Sequence, residues 1–257
     1  MTVTVLVENS APRGLAGEHG LSFFIEYRGH RLLLDGGSTG LAAGNARSLG
    51  VDVEAVELAV LSHGHYDHGD GLPALLAGVD APLYLRPQAF LPHYHGDDPA
   101  GRYIGLSRET KAALEPKLRP VEEALQPLDG VWLIPDGRVE HQQSLVLETG
   151  EGLVIFNSCC HGGAGFIVRD VLERFPDKRA AALVGGLHLM GADGPGSLGV
   201  SPGIVKNLGK WLFEELGVGR LYTGHCTGAP ALALLREGWP GRVEALTTGL
   251  TLTFDEG

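Results

Sequence analysis

The sequence predicts an α/β fold in which two sheets pack face to face with helices outside. Three observations predict it. Short segments rich in β-branched, aromatic or aliphatic residues recur along the 257 residues. Helical stretches alternate with them. The two halves repeat this style in similar order with no linker-like segment between them, so residues 1–257 are expected to form a single domain.

Thr2–Val7, Leu21–Tyr27 and Arg31–Leu34 read as strands, with "YRGH" as a hairpin turn between the last two. A helix is expected over Gly40–Leu49, stopped by Gly50. "VELAVLS" reads as a buried strand, followed by a helix around Gly71–Leu76 and a strand at Pro82–Leu85. Pro87–Leu106 mixes aromatics, His, Gly and Pro, the composition of an ordered surface loop near a site. Strands follow at Val131–Ile134, Ser144–Leu147 and Leu153–Phe156, with "ETGEG" as a hairpin loop. A helix over Gly165–Phe175 leads to a short strand at Ala182–Val184. "SPGIVKNLGKWLFEELG" is the clearest helix. Ser201 can cap it, Pro202 suits its first turn, and Gly217 ends it. Its expected core stripe is Ile204, Leu208, Trp211, Leu212 and Leu216. Strand Arg220–Thr223, helix Ala229–Glu237 and a final strand Leu246–Phe254 complete the chain.

Composition narrows the function. At 44% hydrophobic and 20% charged residues, the chain can bury a sizeable core. The formal net charge of -11, without a Lys/Arg run, argues against a nucleic-acid partner, because phosphate backbones demand a basic surface. A small anionic substrate stays compatible, since a bound metal reverses the local charge. No apolar stretch approaches the roughly 20 residues of a membrane span. "MTVTVLVENS" has no basic segment before its apolar run, so it reads as a strand and not a secretion signal. Three cysteines, two of them adjacent, make no disulfide framework, and a reducing cytoplasm is the expected setting. Nothing in the sequence sets an oligomeric state.

"LSHGHYDHGDG" carries the chemistry. Residues two apart on an extended segment point the same way, so His63 and His65 can share one target. Asp67 and His68 lie past the turn and can serve a second position. Imidazole and carboxylate together suit zinc, with iron or manganese as alternatives. One segment cannot complete two sites, so further ligands are expected from later strand ends in glycine-rich contexts. "NSCCHGG" (His161), "GGLHLMG" (His188) and "YTGHCTG" (His225) supply the candidates.

"LSHGHYDHGDGL" resembles the metal motif of the metallo-β-lactamase superfamily. With "EHGLSFFIEYRGHRLLLDGG", "NARSLGVDVEAVELAVLSHGHYDHGDGL", "NSCCHGG", "GGLHL" and "HCTG", nearly the whole chain is similar to one branch. It is the branch related to the dihydropterin ribofuranosylaminobenzene phosphate synthase of methanopterin biosynthesis. The resemblance implies a four-layer αββα sandwich, two mixed sheets with helices outside, and a dinuclear site at one edge. His63 and His65 would hold the first divalent metal ion; Asp67, His68 and His225 would hold the second. Two positions depart from the superfamily pattern. Cys159 stands about where a bridging aspartate is usual, and we expect His161, two residues on, to complete the first site. His141 falls roughly where another superfamily histidine would, and is the weaker candidate.

The remaining residues have milder expectations. His188 is a candidate acid/base or substrate-binding group, or a core histidine bonded to backbone. His19 and His93 are candidate pocket residues, with His95 in the same loop, and His30 an exposed turn residue. Asp35 is expected to bond a ligand histidine and not a metal. Cys159, Cys160 and Cys226 are expected to be small packing residues.

These expectations converge on a metal-dependent hydrolase. A metal-bridging hydroxide would attack an ester or phosphoester of a small, anionic substrate, with Asp67 orienting it and His188 serving the leaving group. The alternatives are a dihydropterin-type transferase releasing pyrophosphate, a di-iron redox protein, and a non-catalytic metal-binding protein.

Overall fold

The computed structural model describes residues 1–257, the side chain of Asp97 apart. Its 14 strands form two seven-stranded sheets. The first takes β1 (Thr2–Val7), β2 (Ser22–Tyr27), β3 (His30–Leu34), β4 (Leu58–Val60), β5 (Leu83–Leu85), β6 (Leu118–Pro120) and β14 (Thr251–Thr253), in the order β14-β1-β2-β3-β4-β5-β6. The second takes β7 (Leu125–Leu128), β8 (Val131–Pro135), β9 (Gln143–Thr149), β10 (Gly152–Cys159), β11 (Ala180–Gly186), β12 (Arg220–Thr223) and β13 (Val243–Ala245), in the order β13-β12-β11-β10-β9-β8-β7. Each sheet is mixed in the same way. Pairing is antiparallel through β14-β1-β2-β3 and parallel through β3-β4-β5-β6. It is antiparallel through β7-β8-β9-β10 and parallel through β10-β11-β12-β13.

Alternating residues of the two sheets bury each other. Val3, Phe23, Ile25 and Leu32 meet Leu145, Leu147, Phe156 and Val184 in the central core, where Phe23 and Phe156 stack edge-on at 5.8 Å. Truncating such a buried aromatic costs about 3–5 kcal/mol. The outer face of the first sheet is covered by α1 (Leu41–Leu49) and α3 (Leu72–Leu75). The outer face of the second is covered by α5 (Ala164–Arg174), α6 (Pro202–Lys210) and α7 (Ala229–Gly238). The result is the expected αββα layering. No helix is long and apolar enough to cross a membrane.

The hairpin at "YRGH" forms with Arg28 and Gly29 both at positive φ, 49° and 82°, the backbone that a two-residue turn between twisted strands favours. Other expectations shift. The final strand shortens to β14, which pairs with β1 of the first sheet, and β13, just before the expected range, extends the second sheet. A helix α4 (Arg108–Leu114) and the edge strands β6 and β7 occupy a region for which the sequence pattern gave no element. Ser107 caps α4 through its side chain, accepting from the Thr110 amide. The helix at Ser201 is shorter than its pattern. After Lys210 the chain widens into a π-helical turn, Trp211–Glu215, and Ser201 makes no side-chain cap bond. Of the expected stripe, Leu208, Leu212 and Leu216 pack against the core, joined by Val205 and Phe213, while Ile204 is 51% exposed.

The topology fixes where a site can lie. Parallel strands present all their carboxyl ends at one edge, and binding sites of such sheets collect there. Asp35 follows β3, Ser62 and His63 follow β4, Cys159 closes β10, His188 follows β11 and His225 follows β12. Both sheets therefore deliver chemistry-bearing residues to one rim.

Candidate metal centre

Two loops are pressed together at this rim. The Gly36 amide donates to His68 O at 2.6 Å, and the Gly71 amide to Gly37 O at 3.0 Å. A Cβ on Gly71 would stand 2.0 Å from Gly36 O, so glycine is what lets the "LDGG" and "HGDG" loops touch. Between them α2 (Tyr66–Gly69) carries Asp67 and His68 inward, both buried. Four non-glycine residues have positive φ; three of them, Asp35 (60°), His188 (54°) and His225 (49°), are at this rim. Such backbone costs of order 1–3 kcal/mol per residue and persists only when its surroundings hold it.

The histidines fall into two groups. In the first, His63 Nε2 and His161 Nε2 stand 3.3 Å apart, and ring nitrogens of His63, His65 and His161 lie within 4.8 Å of one another. In the second, His68 Nε2 and His225 Nε2 stand 3.1 Å apart, with Asp67 Oδ2 at 3.7 Å and 3.3 Å from them. His19, expected only to line a pocket, joins this group: its Nε2 is 3.2 Å from Asp67 Oδ2, and its ring stacks on His225 at 4.7 Å.

Hydrogen bonding behind the rings sets the tautomers. Asp35 is fully buried and accepts from the Ser62 amide (2.7 Å), Ser62 Oγ (2.6 Å) and His68 Nδ1 (2.9 Å). Ser62 gives its only proton to Asp35, so its oxygen accepts from His63 Nδ1 at 2.9 Å. His225 Nδ1 donates to Asn9 Oδ1 at 3.0 Å, while Glu8 Oε1 accepts from the His225 amide at 2.6 Å. His63, His68 and His225 thus each keep a proton on Nδ1 and turn a lone pair outward from Nε2. At 3.1 Å, the lone pairs of His68 and His225 face each other, an arrangement that only a shared proton or a cation satisfies. Two imidazoles on one tetrahedral zinc have nitrogens roughly 3.4 Å apart. The donor set therefore fits divalent metal ions.

Electrostatics match. Burial pushes His63 and His161 well below the ordinary histidine range, and His65 down to about 3. All three are neutral at physiological pH, the form that ligates metal. Burial opposes ionisation of Asp67, but His68, His19 and His225 outweigh it and hold its carboxyl well below the usual range. Burial likewise opposes the His225 cation, yet the hydrogen bond to Asp67 raises it overall.

A cavity of about 310 Å³ opens over both groups, lined by His19, Asp67, His161, His188 and His225 among others. His188 is 3.5 Å by Nδ1 from Cys159 Sγ, and its ring is 4.3 Å from that of His161. The loop at Pro87–Leu106 folds as a small hairpin over this cavity. Tyr94 bridges Tyr103, and Ile104 O accepts from the Tyr66 amide at 3.0 Å. This places His95, Arg102 and Ile104 on the wall. His93, expected to face the substrate, is not among the lining residues. Its Nε2 contacts Gln88 O at 3.1 Å, and its ring packs on His141 at 4.1 Å. His141 sits outside the first group, 6.0 Å ring to ring from His63, although His65, His93 and His141 form a further cluster of possible donors. His30 stays at the surface, 2.9 Å from Glu57.

The sequence reading missed Glu8, Asn9 and Ser62 as supports of the ligand rings. Their signal was faint: polar residues immediately after strongly apolar strand segments. It also placed Cys159 among packing residues, whereas Cys159 and Cys226 form part of the cavity floor, Sγ to Sγ 2.8 Å.

Comparisons with known proteins agree with this fold. The model of the metallo-beta-lactamase superfamily matches residues 15–225. The 7,8-dihydropterin-6-methyl-4-(beta-D-ribofuranosyl)-aminobenzene-5'-phosphate synthase of Methanocaldococcus jannaschii is 25% identical, over 92% of this chain and 90% of its own. The crystal structure of Tm1679, a metal-dependent hydrolase of the beta-lactamase superfamily, superposes with a TM-score of 0.82 at 28% identity, covering 99% of both chains. Zinc-bound PqqB from Methylobacterium extorquens shares the fold, with a TM-score of 0.62 at 16% identity over 99% of this chain and 100% of its own.

Proposed function

The chain belongs to the metallo-beta-lactamase superfamily, and from that premise we propose that it is a metal-dependent hydrolase of a small ester or phosphoester. The observation that carries the reading is the pair of facing imidazole nitrogens, 3.3 Å apart in one group and 3.1 Å in the other, each backed by fixed Nδ1 protons where partners are present. His63, His65 and His161 would hold one divalent cation; Asp67, His68 and His225 would hold the other. Zinc is the first candidate for this nitrogen-rich set. When bound, two such ions supply Lewis acidity and lower the pKa of water towards 7.

The chain's own residues do the rest. Asp67 carries the negative charge of the second group and, through Oδ2, ties His19 to it. His188 Nδ1 is directed at Cys159, which leaves Nε2 to give a proton to the leaving group. Ile104 and Met190 on the wall exclude water, and the cavity volume suits a small molecule. Arg102 adds a positive charge to the wall of an acidic protein, which favours an anionic substrate.

The curated relative supports a second reading, transfer: it is named a synthase. A pterin-type pyrophosphate donor would then pass its pterin group to an aminobenzene acceptor in the same cavity, with pyrophosphate released as the leaving group. The test is metal analysis by plasma mass spectrometry on the metal-loaded protein, followed by a screen of phosphodiesters, phosphomonoesters, lactones, thioesters and β-lactams. Hydrolysis of one class by protein holding two ions is expected. Wild type that binds no metal overturns the reading. Pyrophosphate release that needs a second substrate replaces hydrolysis by transfer.

A further inference from the structure

Cys159 reaches members of both donor groups. Its Sγ lies within 4.8 Å of ring nitrogens of His63 and His161 in the first and of His68 and His225 in the second. Sulfur and nitrogen on one tetrahedral zinc stand about 3.6 Å apart, with the sulfur at about 2.3 Å from the metal, so small side-chain adjustments bring Sγ into coordination on either side.

A buried sulfur that ionises on binding a cation needs polar neighbours, and Cys159 has them. Cys226 Sγ is 2.8 Å away and His188 Nδ1 3.5 Å. Cys159 donates its S–H to Cys226 Sγ, which also accepts from the His188 amide at 3.3 Å, so the Cys159 proton is the one that leaves on metal binding. The neighbouring thiol differs. Cys160 is packed in the apolar layer between the second sheet and its helices, with Sγ 3.8 Å from Asn157 O. Two adjacent cysteines therefore have different surroundings, one in packing and one among nitrogen donors.

We propose that Cys159 is a metal-ligating thiolate at the seam of the two donor groups, and that it makes the centre select thiophilic divalent cations, such as zinc or cobalt(II), over magnesium or calcium. This rests on the reading of the rim as a metal centre. On binding, the thiol proton passes to solvent and the sulfur lone pair goes to the cation. Hard cations gain little from sulfur, so the preference follows from the donor itself.

The experiment uses cobalt(II) as the probe. Bound cobalt is counted by plasma mass spectrometry, and the near-ultraviolet thiolate-to-cobalt charge-transfer absorption is recorded for wild type, Cys159→Ser, Cys226→Ser and Cys160→Ser. Wild type, Cys160→Ser and Cys226→Ser are expected to show the band; Cys159→Ser is expected to bind cobalt without it. X-ray absorption on zinc-loaded wild type, which needs no variant to fold, is expected to find a sulfur neighbour at about 2.3 Å. Cobalt bound by wild type without the band and no zinc–sulfur neighbour overturn the proposal while leaving the metal centre intact. A band that survives in Cys159→Ser, or disappears only in Cys226→Ser, overturns it as well. Wild type that binds no cobalt or zinc overturns both this proposal and the reading beneath it.

Discussion

The two donor groups solve the same problem with different means. His63, His65 and His161 carry no charge, and burial keeps them so. Asp67, His68 and His225 include a carboxylate held ionised by the imidazoles around it. The first group is ready for a cation because protons bind it poorly. The second attracts a cation by charge but also attracts protons, as the raised His225 shows. One buried residue serves both: Asp35 fixes His68 directly and His63 through Ser62. Symmetry of position, each group at the carboxyl ends of parallel strands, does not bring symmetry of chemistry.

The largest effects should come from removing one ligand of each group. His161→Ala and His225→Ala are each expected to lower metal content from two ions to one per chain. Each should cut turnover by roughly a hundredfold or more, since one bound ion contributes several kcal/mol to the barrier. Metal analysis with steady-state kinetics checks this. If His161→Ala retains both ions, the first group is wrongly composed.

Asp35→Asn comes next. Loss of such a supporting hydrogen bond typically costs 10–100-fold in metal affinity. Because Asp35 stands behind both groups, both affinities are expected to weaken. Asn9→Ala, which removes the partner of His225 Nδ1 and a contact to His19 Nδ1, both on the second group's side, should weaken the second alone. Competition titrations with a chelator separate the two. Equal weakening by both variants would erase the distinction drawn between the groups.

Acidification separates the groups by sign. A histidine whose folded pKa is raised takes a proton early as pH falls, and a protonated ring cannot ligate. A histidine held down to about 3 resists protons across the window from 6.5 down to about 3. The second group is therefore expected to lose its ion first on acidification. In the metal-free protein, the depressed His65 contributes stability that is present above pH 6.5 and is lost as pH falls towards 3. Metal content and denaturation midpoints over a pH series measure both. Loss of the first ion before the second would reverse the comparison.

How much of this was legible beforehand follows from what each kind of residue depends on. Strand segments and the "HGHYDH" spacing are local, so they could be read from periodicity and ligand geometry. The αββα layering came from the same local patterns together with the motif resemblance. The helix at Pro202 was readable in existence and in much of its face, since Leu208, Leu212 and Leu216 pack inward, whereas the burial of Val205 in place of Ile204 and the π-helical turn after Lys210 were not readable from the apolar pattern. The strand at β14 was legible but its sheet was not, because its partner β1 lies roughly a chain length away. Asn9 and Glu8 lie more than 200 residues from His225, with 216 and 217 positions between the bonded pairs. No local pattern encodes such a bond. The neighbours of Cys159 were illegible for the same reason: they come from separate segments.

His141 gives the smallest and most discriminating effect. It lies outside the facing pair, yet it belongs with His65 and His93 to a cluster whose ring nitrogens are within 4.8 Å of one another. The Gly64 amide approaches its Nδ1 at 3.4 Å, which places the ring proton on Nε2 and turns a donor, not a lone pair, towards its surroundings. His141→Ala should therefore keep both ions. It should change turnover by less than about tenfold, through looser packing against His93 and not through a lost ligand. Metal content decides it: one ion in His141→Ala would transfer the third place of the first group from His161 to His141. The two groups would then differ in the second sheet's contribution as well as in charge, since His141 precedes β9 while His161 follows β10.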